Sequence, residues 1–287
     1  MAPGNHIKLI ECPRDAMQGW AHPISTEKKA AYINALLKVG FHTIDFGSFV
    51  SPKAIPQMAD TVEVLKKLDL KNTTSKLLAI IANKRGAEEA VIWDEITYLG
   101  FPFSVSETFQ IRNTHSSIQQ SLERVEEIQN LCVKAQKKLV VYLSMAFGNP
   151  YGDVYNEEIV FSWAYKLAAL DIGIISLADT VGLATATQVG EMTKYLVKML
   201  PGAEIGVHLH SAPNNRKEKL EAALQAGCRR IDGAMKGIGG CPMADDELVG
   251  NMDTEFMVDY FAAQKIGLSL NAEALSYCSR LASEIFI

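Results

Sequence analysis

Short apolar segments rich in β-branched and aromatic residues alternate with longer segments of helical spacing, and this alternation runs through the whole chain. It predicts eight β-strands, at residues 7–11, 42–47, 76–82, 95–104, 139–146, 174–180, 204–210 and 230–235. The clearest helical segments lie at residues 26–40, 116–136, 156–173, 185–200 and 215–228. Strand–helix units of this kind form parallel sheets with right-handed crossovers.

Eight such units in 287 residues fit an α/β protein of the (β/α)8 TIM-barrel class. We expect residues 1–287 to form a single TIM-barrel catalytic domain, with residues 271–286 as an additional C-terminal helix. A doubly wound open sheet is the alternative. That fold would favour a G-x-G-x-x-G turn after the first strand, and the segment ECPRDAMQG at residues 11–19 lacks it.

Composition narrows the class of function. The net charge is −5 with acidic and basic residues interspersed, which argues against a nucleic-acid partner. The apolar runs, such as residues 76–82, are too short to span a membrane, and the N-terminus resembles neither a signal nor a transit peptide. Five widely spaced cysteines without a C-x-x-C motif favour reduced thiols. We therefore expect a cytoplasmic enzyme.

Polar and titratable residues follow the carboxyl ends of most predicted strands, where TIM-barrel active sites lie. The set is Arg14, Asp15, Asp45, Asn83, Lys84, Ser144, Asp179, Thr180, His208, His210, Cys241 and Asn251. The opposite strand ends carry ordinary solvated residues such as Lys76 and Glu95. This asymmetry predicts a site at the carboxyl mouth of the barrel.

The segment VHLH at residues 207–210 is the first candidate for metal binding. Residues i and i+2 of a strand share a face, so both imidazoles would point to one place. In a closed barrel, Asp15 and Asn251 follow the neighbouring first and eighth strands. Two imidazoles, a carboxylate and an amide oxygen suit Mg²⁺ or Mn²⁺, although zinc also fits. Burial, a helix cap or surface exposure are the structural alternatives for the histidine pair.

Two further segments carry candidate chemistry. Arg14, next to Asp15, offers a fixed set of charged donors for an oxyanion, although an Arg-Asp dipeptide is also a common surface ion pair. Cys241 follows three glycines in the segment KGIGGCP, where an accessible thiol could act as an acid, base or nucleophile. A tight turn with an incidental cysteine is the structural alternative there.

These residues stand within segments that resemble one known family. The segments IKLIECPRDAMQ, TIDFGSFVSPKAIPQMADTVEV, ISLADTVGLAT, VHLH and GIGGCPMA together resemble the 3-hydroxy-3-methylglutaryl-CoA (HMG-CoA) lyases. These lyases belong to a wider group of TIM-barrel metallolyases that includes the isopropylmalate and homocitrate synthases. The similarity runs from about residue 6 to the C-terminal region.

The resemblance implies a reaction and a set of roles. It implies divalent-metal-dependent cleavage of HMG-CoA, an acyl-CoA substrate, to acetyl-CoA and acetoacetate, a step associated with leucine degradation, and it suggests a homodimer. The implied metal ligands are Asp15, His208, His210 and Asn251. Arg14 would stabilise the enolate, Cys241 would be the catalytic thiol, and Asp45 takes the place of a catalytic-site glutamate.

The chain departs from the family pattern at several positions. Asp45 is one methylene shorter than glutamate, and Ser211 and Asn149 replace residues usual in the family. The loop from Cys241 to Asn251 is about one residue longer than usual and carries the acidic run 245–247. Candidate phosphate contacts, or else ordinary surface charges, are Lys53, Lys84, Arg85 and Arg112.

These departures keep three alternatives open. The first is a lyase for another 3-hydroxyacyl-CoA, and the second is a Claisen-type acyltransferase of the isopropylmalate or homocitrate synthase kind. The third is a degenerate barrel that binds a ligand without turnover.

Overall fold

The computed structural model describes residues 6–240 and 249–287, and its eight strands close into one parallel barrel in chain order. The strands are β1 Lys8–Glu11, β2 Thr43–Ser48, β3 Lys76–Ile80, β4 Ile96–Ser104, β5 Lys138–Ser144, β6 Ile174–Ala178, β7 Glu204–His208 and β8 Arg230–Gly233. The ring closes where β1 pairs with β8, with Lys8 opposite Arg230 and Glu11 opposite Gly233. The predicted (β/α)8 barrel is confirmed, and the doubly wound alternative is wrong.

Helices surround the barrel. In the described ranges they are α1 Pro13–Gln18, α2 Thr26–Leu37, α3 Thr61–Leu65, α4 Lys84–Val91, α5 Glu107–Thr114, α6 Ile118–Lys134, α7 Glu157–Ala169, α8 Ala186–Met199, α9 Arg216–Gln225, α10 Thr254–Ala263 and α11 Ala272–Ile285. α11 is the predicted additional C-terminal helix. None of these helices is both long and apolar enough to cross a membrane.

Local sequence signals explain where several helices begin. The side chain of Ser117 accepts a hydrogen bond from the N–H of Gln120, the third residue of α6, and Thr185 accepts one from Gln188, the third residue of α8. In return, each glutamine side chain accepts a hydrogen bond from the backbone N–H of its cap residue. Pro13 opens α1 directly after β1, where its missing N–H costs nothing. The one-turn helix α1 therefore turns the chain sharply at the mouth of the barrel.

The main core lies between the strands and the helices, and a smaller buried cluster lies inside the barrel. The inner cluster takes alternate residues of neighbouring strands: Leu78, Ile80, Tyr98, Val140, Tyr142 and Ile174. This apolar filling occupies the β3–β6 side of the interior. The largely buried ionisable side chains Asp45, His208 and Asp232 lie on β2, β7 and β8, and this division places the candidate site on one side of the mouth.

Several elements differ from the sequence expectations. The strands end two residues earlier than predicted in β3, β5, β6, β7 and β8. The short helices α1, α3 and α5 were not predicted, since one or two turns show too little periodicity. α10 was likewise missed, although Asp253 caps it by accepting a hydrogen bond from Phe256 N–H.

Candidate metal and substrate site

A cavity of about 270 Å³ opens at the carboxyl ends of the strands. Its lining combines Arg14, Asp15, His208 and His210 with apolar side chains from β3 to β5 and with the end of α5. Three larger depressions, of about 350, 380 and 460 Å³, lie elsewhere on the surface and contain none of the predicted site residues. The charged and imidazole side chains in its lining, and not its volume, therefore identify the mouth cavity as the candidate site.

Asp15, His208 and His210 converge within this cavity. One ligand atom of each lies within 4.8 Å of the others, and the two imidazole centroids are 5.4 Å apart. Asp15 reaches this position because α1 turns the chain back over the barrel immediately after β1. Burial alone would raise the pKa of Asp15, but the charge of Arg14 lowers it below its ordinary value, so the carboxylate is ionised.

His208 is oriented by a residue that sequence reasoning missed. Its Nδ1 donates to Asp232 Oδ2 at 3.2 Å, and Asp232 is buried on β8. Burial lowers the pKa of His208, but the hydrogen bond to Asp232 and the negative charges of Asp232 and Asp15 together outweigh it, so the net shift is upward. A carboxylate that takes the Nδ1 proton leaves Nε2 free as a metal ligand. In the sequence, the only signal for this role is that Asp232 is the one acidic residue of a predicted strand.

His210 lies beyond the end of β7, so it is not held by the strand ladder. Its backbone instead forms an isolated bridge with Asn251. Burial lowers the pKa of His210 to about 3. The imidazole is therefore neutral near pH 7, the form that can bind a metal ion.

Asn251 joins the same group from the loop before α10. Its Nδ2 donates to Asp15 Oδ2 at 2.7 Å and to the carbonyl of Ile238 at 3.0 Å. Its Oδ1 is buried and has no hydrogen-bond partner among the described residues. Gly239 makes room for this side chain, since a Cβ there would lie 2.5 Å from Asn251 Nδ2. Because the Asn251 amide contacts Asp15 and its Oδ1 lacks a described partner, Asn251 is a candidate fourth metal ligand.

Arg14 bridges two carboxylates. Its Nε and Nη2 donate to Asp45 Oδ2 at 3.0 and 2.5 Å, and its Nη1 donates to Asp15 Oδ1 at 3.1 Å. Burial opposes the charge of Arg14, but the two carboxylates raise its pKa above the ordinary range. Burial raises the pKa of Asp45 to about 6 despite this contact. The short side chain of Asp45 thus reaches Arg14, while its Oδ1 is buried without a described partner.

The cysteines divide into two groups. Cys241, like the acidic run 245–247, lies outside the described residues. Cys12, Cys132, Cys228 and Cys278 are buried. Cys12 lies near His208 and Asp232 in a second group of possible ligands. However, burial raises the pKa of Cys12 far above its ordinary value, which disfavours the thiolate that a metal needs.

The donor set fits a divalent cation. Asp15 and Asp45 share one guanidinium, so the pair leaves an excess negative charge in a buried place. Two imidazoles, one of them oriented by Asp232, and an orphaned amide oxygen surround that charge. Mixed nitrogen and oxygen donors of this kind suit Mg²⁺, Mn²⁺ or Zn²⁺. The group is also incomplete as a closed protein site, which leaves room for a substrate oxygen.

The candidate phosphate contacts are distributed differently. Arg112, near the end of α5, lines the mouth cavity and lies over the ring of Tyr151 at 4.7 Å. Lys84 and Arg85 pair with exposed glutamates at 3.9 and 3.4 Å, as ordinary surface charges do. Of these residues, Arg112 alone lines the mouth cavity.

A closed parallel barrel with charged and imidazole side chains at its carboxyl mouth defines a protein of the TIM-barrel enzyme class. Comparison with known proteins narrows this class. The chain belongs to the HMGL-like family, whose profile matches residues 7–281. It is 32% identical over 266 residues to a hydroxymethylglutaryl-CoA lyase of Bacillus subtilis, an alignment that covers 92% of this chain and 87% of that protein.

Two other proteins are similar to this chain over most of its length. The mitochondrial hydroxymethylglutaryl-CoA lyase of Macaca fascicularis is 32% identical, over 94% of this chain and 82% of that one. The structure of an HMG-CoA lyase from Acinetobacter baumannii, in complex with coenzyme A and 3-methylmalate, superposes with a TM-score of 0.92 at 30% identity, covering 100% of this chain and 93% of that chain. The predicted resemblance is confirmed, and with it the prediction of a lyase.

Proposed function

We propose that this protein is a carbon–carbon lyase that cleaves HMG-CoA to acetyl-CoA and acetoacetate with the help of a divalent metal ion. The observation that carries the proposal is the convergence of Asp15, His208 and His210 beside Arg14 in the mouth cavity. The names of its relatives support the same substrate. We further propose that residues 1–287 act as one catalytic domain.

The reaction balances without an external reagent. The tertiary 3-hydroxyl of the substrate loses its proton and becomes the ketone of acetoacetate as the C2–C3 bond breaks. The electron pair of that bond passes into the thioester and forms the enolate of acetyl-CoA. One proton then returns to C2. The protein must therefore accept a proton at one oxygen, stabilise an enolate and deliver a proton to a carbon.

Asp15, His208, His210 and the Oδ1 of Asn251 would hold the metal ion. When bound, a divalent ion supplies a Lewis acid that lowers the pKa of the substrate hydroxyl. Asp232 keeps His208 in the tautomer that offers Nε2 as a ligand. We favour Mg²⁺ or Mn²⁺ over zinc, because half of the proposed ligand set is oxygen.

Arg14 is the proposed enolate partner. Asp45 and Asp15 hold its guanidinium from two sides, so it needs little reorganisation when charge develops on the thioester oxygen. Its remaining N–H groups are the donors for that oxygen. Asp45 is a candidate base for the hydroxyl proton, with His208 or a water molecule as alternatives, because its Oδ1 is orphaned and its pKa is raised to about 6.

Cys241 is the proposed acid that protonates the carbanion. This assignment follows from the family resemblance alone. The remaining proposals are an acyl-CoA substrate that enters past Arg112 at the rim, a homodimer, and a cytoplasmic location. The absence of a nucleic-acid partner stays a prediction from charge.

The activity assay uses the purified full chain, HMG-CoA and Mg²⁺, with acetoacetate as the product measured. Product should form, and EDTA should abolish it. If no metal-dependent acetoacetate appears, the HMG-CoA assignment is wrong. Other 3-hydroxyacyl-CoA thioesters, assayed in the same way, test the lyase alternative. Release of free CoA from acetyl-CoA that depends on an added 2-oxo acid as acetyl acceptor tests the acyltransferase alternative.

A pair of cysteine variants tests the proton donor. Cys241→Ala should abolish acetoacetate formation while metal affinity stays near wild type. Cys278→Ala, which alters a buried thiol of α11, should retain turnover. Equal loss of turnover and metal binding in Cys241→Ala would mean that its role is structural.

A further inference from the structure

A lysine is buried directly behind the candidate metal ligands. Lys219 lies on α9 and its side chain is only 1% exposed. Its Nζ contacts Asp179 Oδ2 at 2.7 Å, the carbonyl of His210 at 2.8 Å and the carbonyl of Gly182 at 3.4 Å. These three acceptors match the three N–H groups of an ammonium ion. The reaction outlined above gives Lys219 no part.

Asp179 extends this contact to neighbouring strands. It follows β6, and its side chain is also 1% exposed. Its Oδ1 accepts a hydrogen bond from Ala184 N–H at 3.0 Å, and its own N–H donates to the carbonyl of His208 at 2.9 Å. The Lys219–Asp179 pair therefore ties α9, the loop after β6 and the end of β7 together.

The backbone of His210 depends on this contact more than that of His208, because His210 lies beyond the end of β7. The ladder of β7 ends at His208, and the bridge to Asn251 uses the carbonyl of Leu209 and the N–H of Ser211, so neither fixes the carbonyl of His210. Lys219 supplies the missing partner with a charge-assisted hydrogen bond, which is stronger than a neutral one. Fixing this carbonyl fixes the direction of the Cα–Cβ bond and hence of the imidazole.

We propose that Lys219 is a positioning residue that holds His210 directly, and His208 through Asp179, in the geometry required to bind a metal ion. The inference rests on the proposed metal site. A buried ion pair adds little to stability compared with apolar residues of the same size, because both charges must be desolvated. Placement of a ligand is a role that an apolar pair could not fill.

The test measures Mn²⁺ affinity of the metal-free protein by EPR titration. In Lys219→Met the affinity should fall about 10- to 100-fold, as for other residues that orient metal ligands. Lys29→Met is the matched control, because Lys29 forms a buried pair with Asp60 at 2.6 Å, between α2 and the segment before α3. This control should change the affinity less than about twofold.

A double variant removes the difficulty that Lys219→Met leaves Asp179 as an unpaired buried charge. Lys219→Met with Asp179→Asn contains no such charge and should show the same loss of Mn²⁺ affinity. Wild-type affinity in either folded variant would overturn the inference. Failure of both to fold would assign Lys219 to barrel stability and overturn it as well. If the wild type binds no Mn²⁺, it is the proposed metal site that fails.

Discussion

Replacing Glu11 by glutamine tests the effect of its ionisation on stability while the size and shape of the side chain stay nearly the same. This residue ends β1, is fully buried, and accepts hydrogen bonds from Met235 N–H at 2.9 Å and from Thr254 Oγ1 at 2.6 Å. Burial raises its pKa from 4.5 to about 8. The folded protein therefore keeps Glu11 protonated near pH 7, whereas the unfolded chain ionises it.

The sign and size of the effect follow from proton linkage. Below pH 4.5 both states hold the proton, and above about pH 8 both have lost it. Between these limits unfolding releases a proton, so the free energy of unfolding decreases as pH rises, by about 1.4 kcal/mol per pH unit. The full loss over this window is of the order of 5 kcal/mol.

Glu11→Gln should abolish this loss. Its amide can still accept from Met235 N–H and can donate to Thr254, so its stability should stay close to wild type at about pH 5 and exceed it by several kcal/mol at about pH 9. Urea denaturation followed by circular dichroism at several pH values measures the difference. Glu204→Gln, which removes a partly exposed carboxylate paired with Lys8 at 2.7 Å, is the control and should give a flat difference. A pH-independent difference for Glu11→Gln would refute the reasoning.

Two further variants test the metal site. Asp232→Asn should weaken divalent-metal affinity about 10- to 100-fold in calorimetric titrations, because a neutral amide, which can donate as well as accept, no longer fixes the tautomer of His208; unchanged affinity would contradict the orientation role. Gly239→Ala places a Cβ 2.5 Å from Asn251 Nδ2 at a φ of +111° and should lower both metal affinity and turnover, whereas Gly202→Ala, where no atom lies within 4 Å of the added Cβ, should change neither; equal behaviour of the two would exclude a role for Gly239 in placing Asn251.

The fold was predictable because its signal is repeated. Each strand–helix unit carries its own periodicity, so an error of two residues at a strand end leaves the count of eight intact. The same holds for the Arg14–Asp15 and His208–His210 pairs, which are adjacent or nearly adjacent in sequence. Their convergence follows once the barrel closes.

The residues that support the site were not predictable in this way. Asp232 is the one acidic residue of β8 and Lys219 is one of several charged residues of α9, and their partners lie 24 and 40 residues away. Glu11 finds its partners 224 and 243 residues along the chain. From the sequence alone, such residues cannot be distinguished from ordinary surface charges. Asn251 was ambiguous because one additional loop residue shifts the register, and its contact with Asp15 depends on the path of the backbone at Gly239.

The candidate metal ligands differ in how the fold holds them, and this difference explains where the buried polar residues around them lie. His208 ends a strand, its carbonyl accepts from Asp179 N–H, and Asp232 orients its ring. Asp15, His210 and Asn251 lie beyond strand ends, where an isolated bridge between His210 and Asn251 replaces the ladder. Two buried residues stabilise the backbone around them. Lys219 donates a hydrogen bond to the carbonyl of His210. Glu11 accepts hydrogen bonds from Met235 and Thr254, which lie on the two sides of the segment that carries Asn251. Lys219→Met should therefore disturb the His210 ring more than the His208 ring, and Asp232→Asn should do the reverse. Imidazole NMR signals of the metal-free protein that shift equally for both rings in both variants would argue against this division.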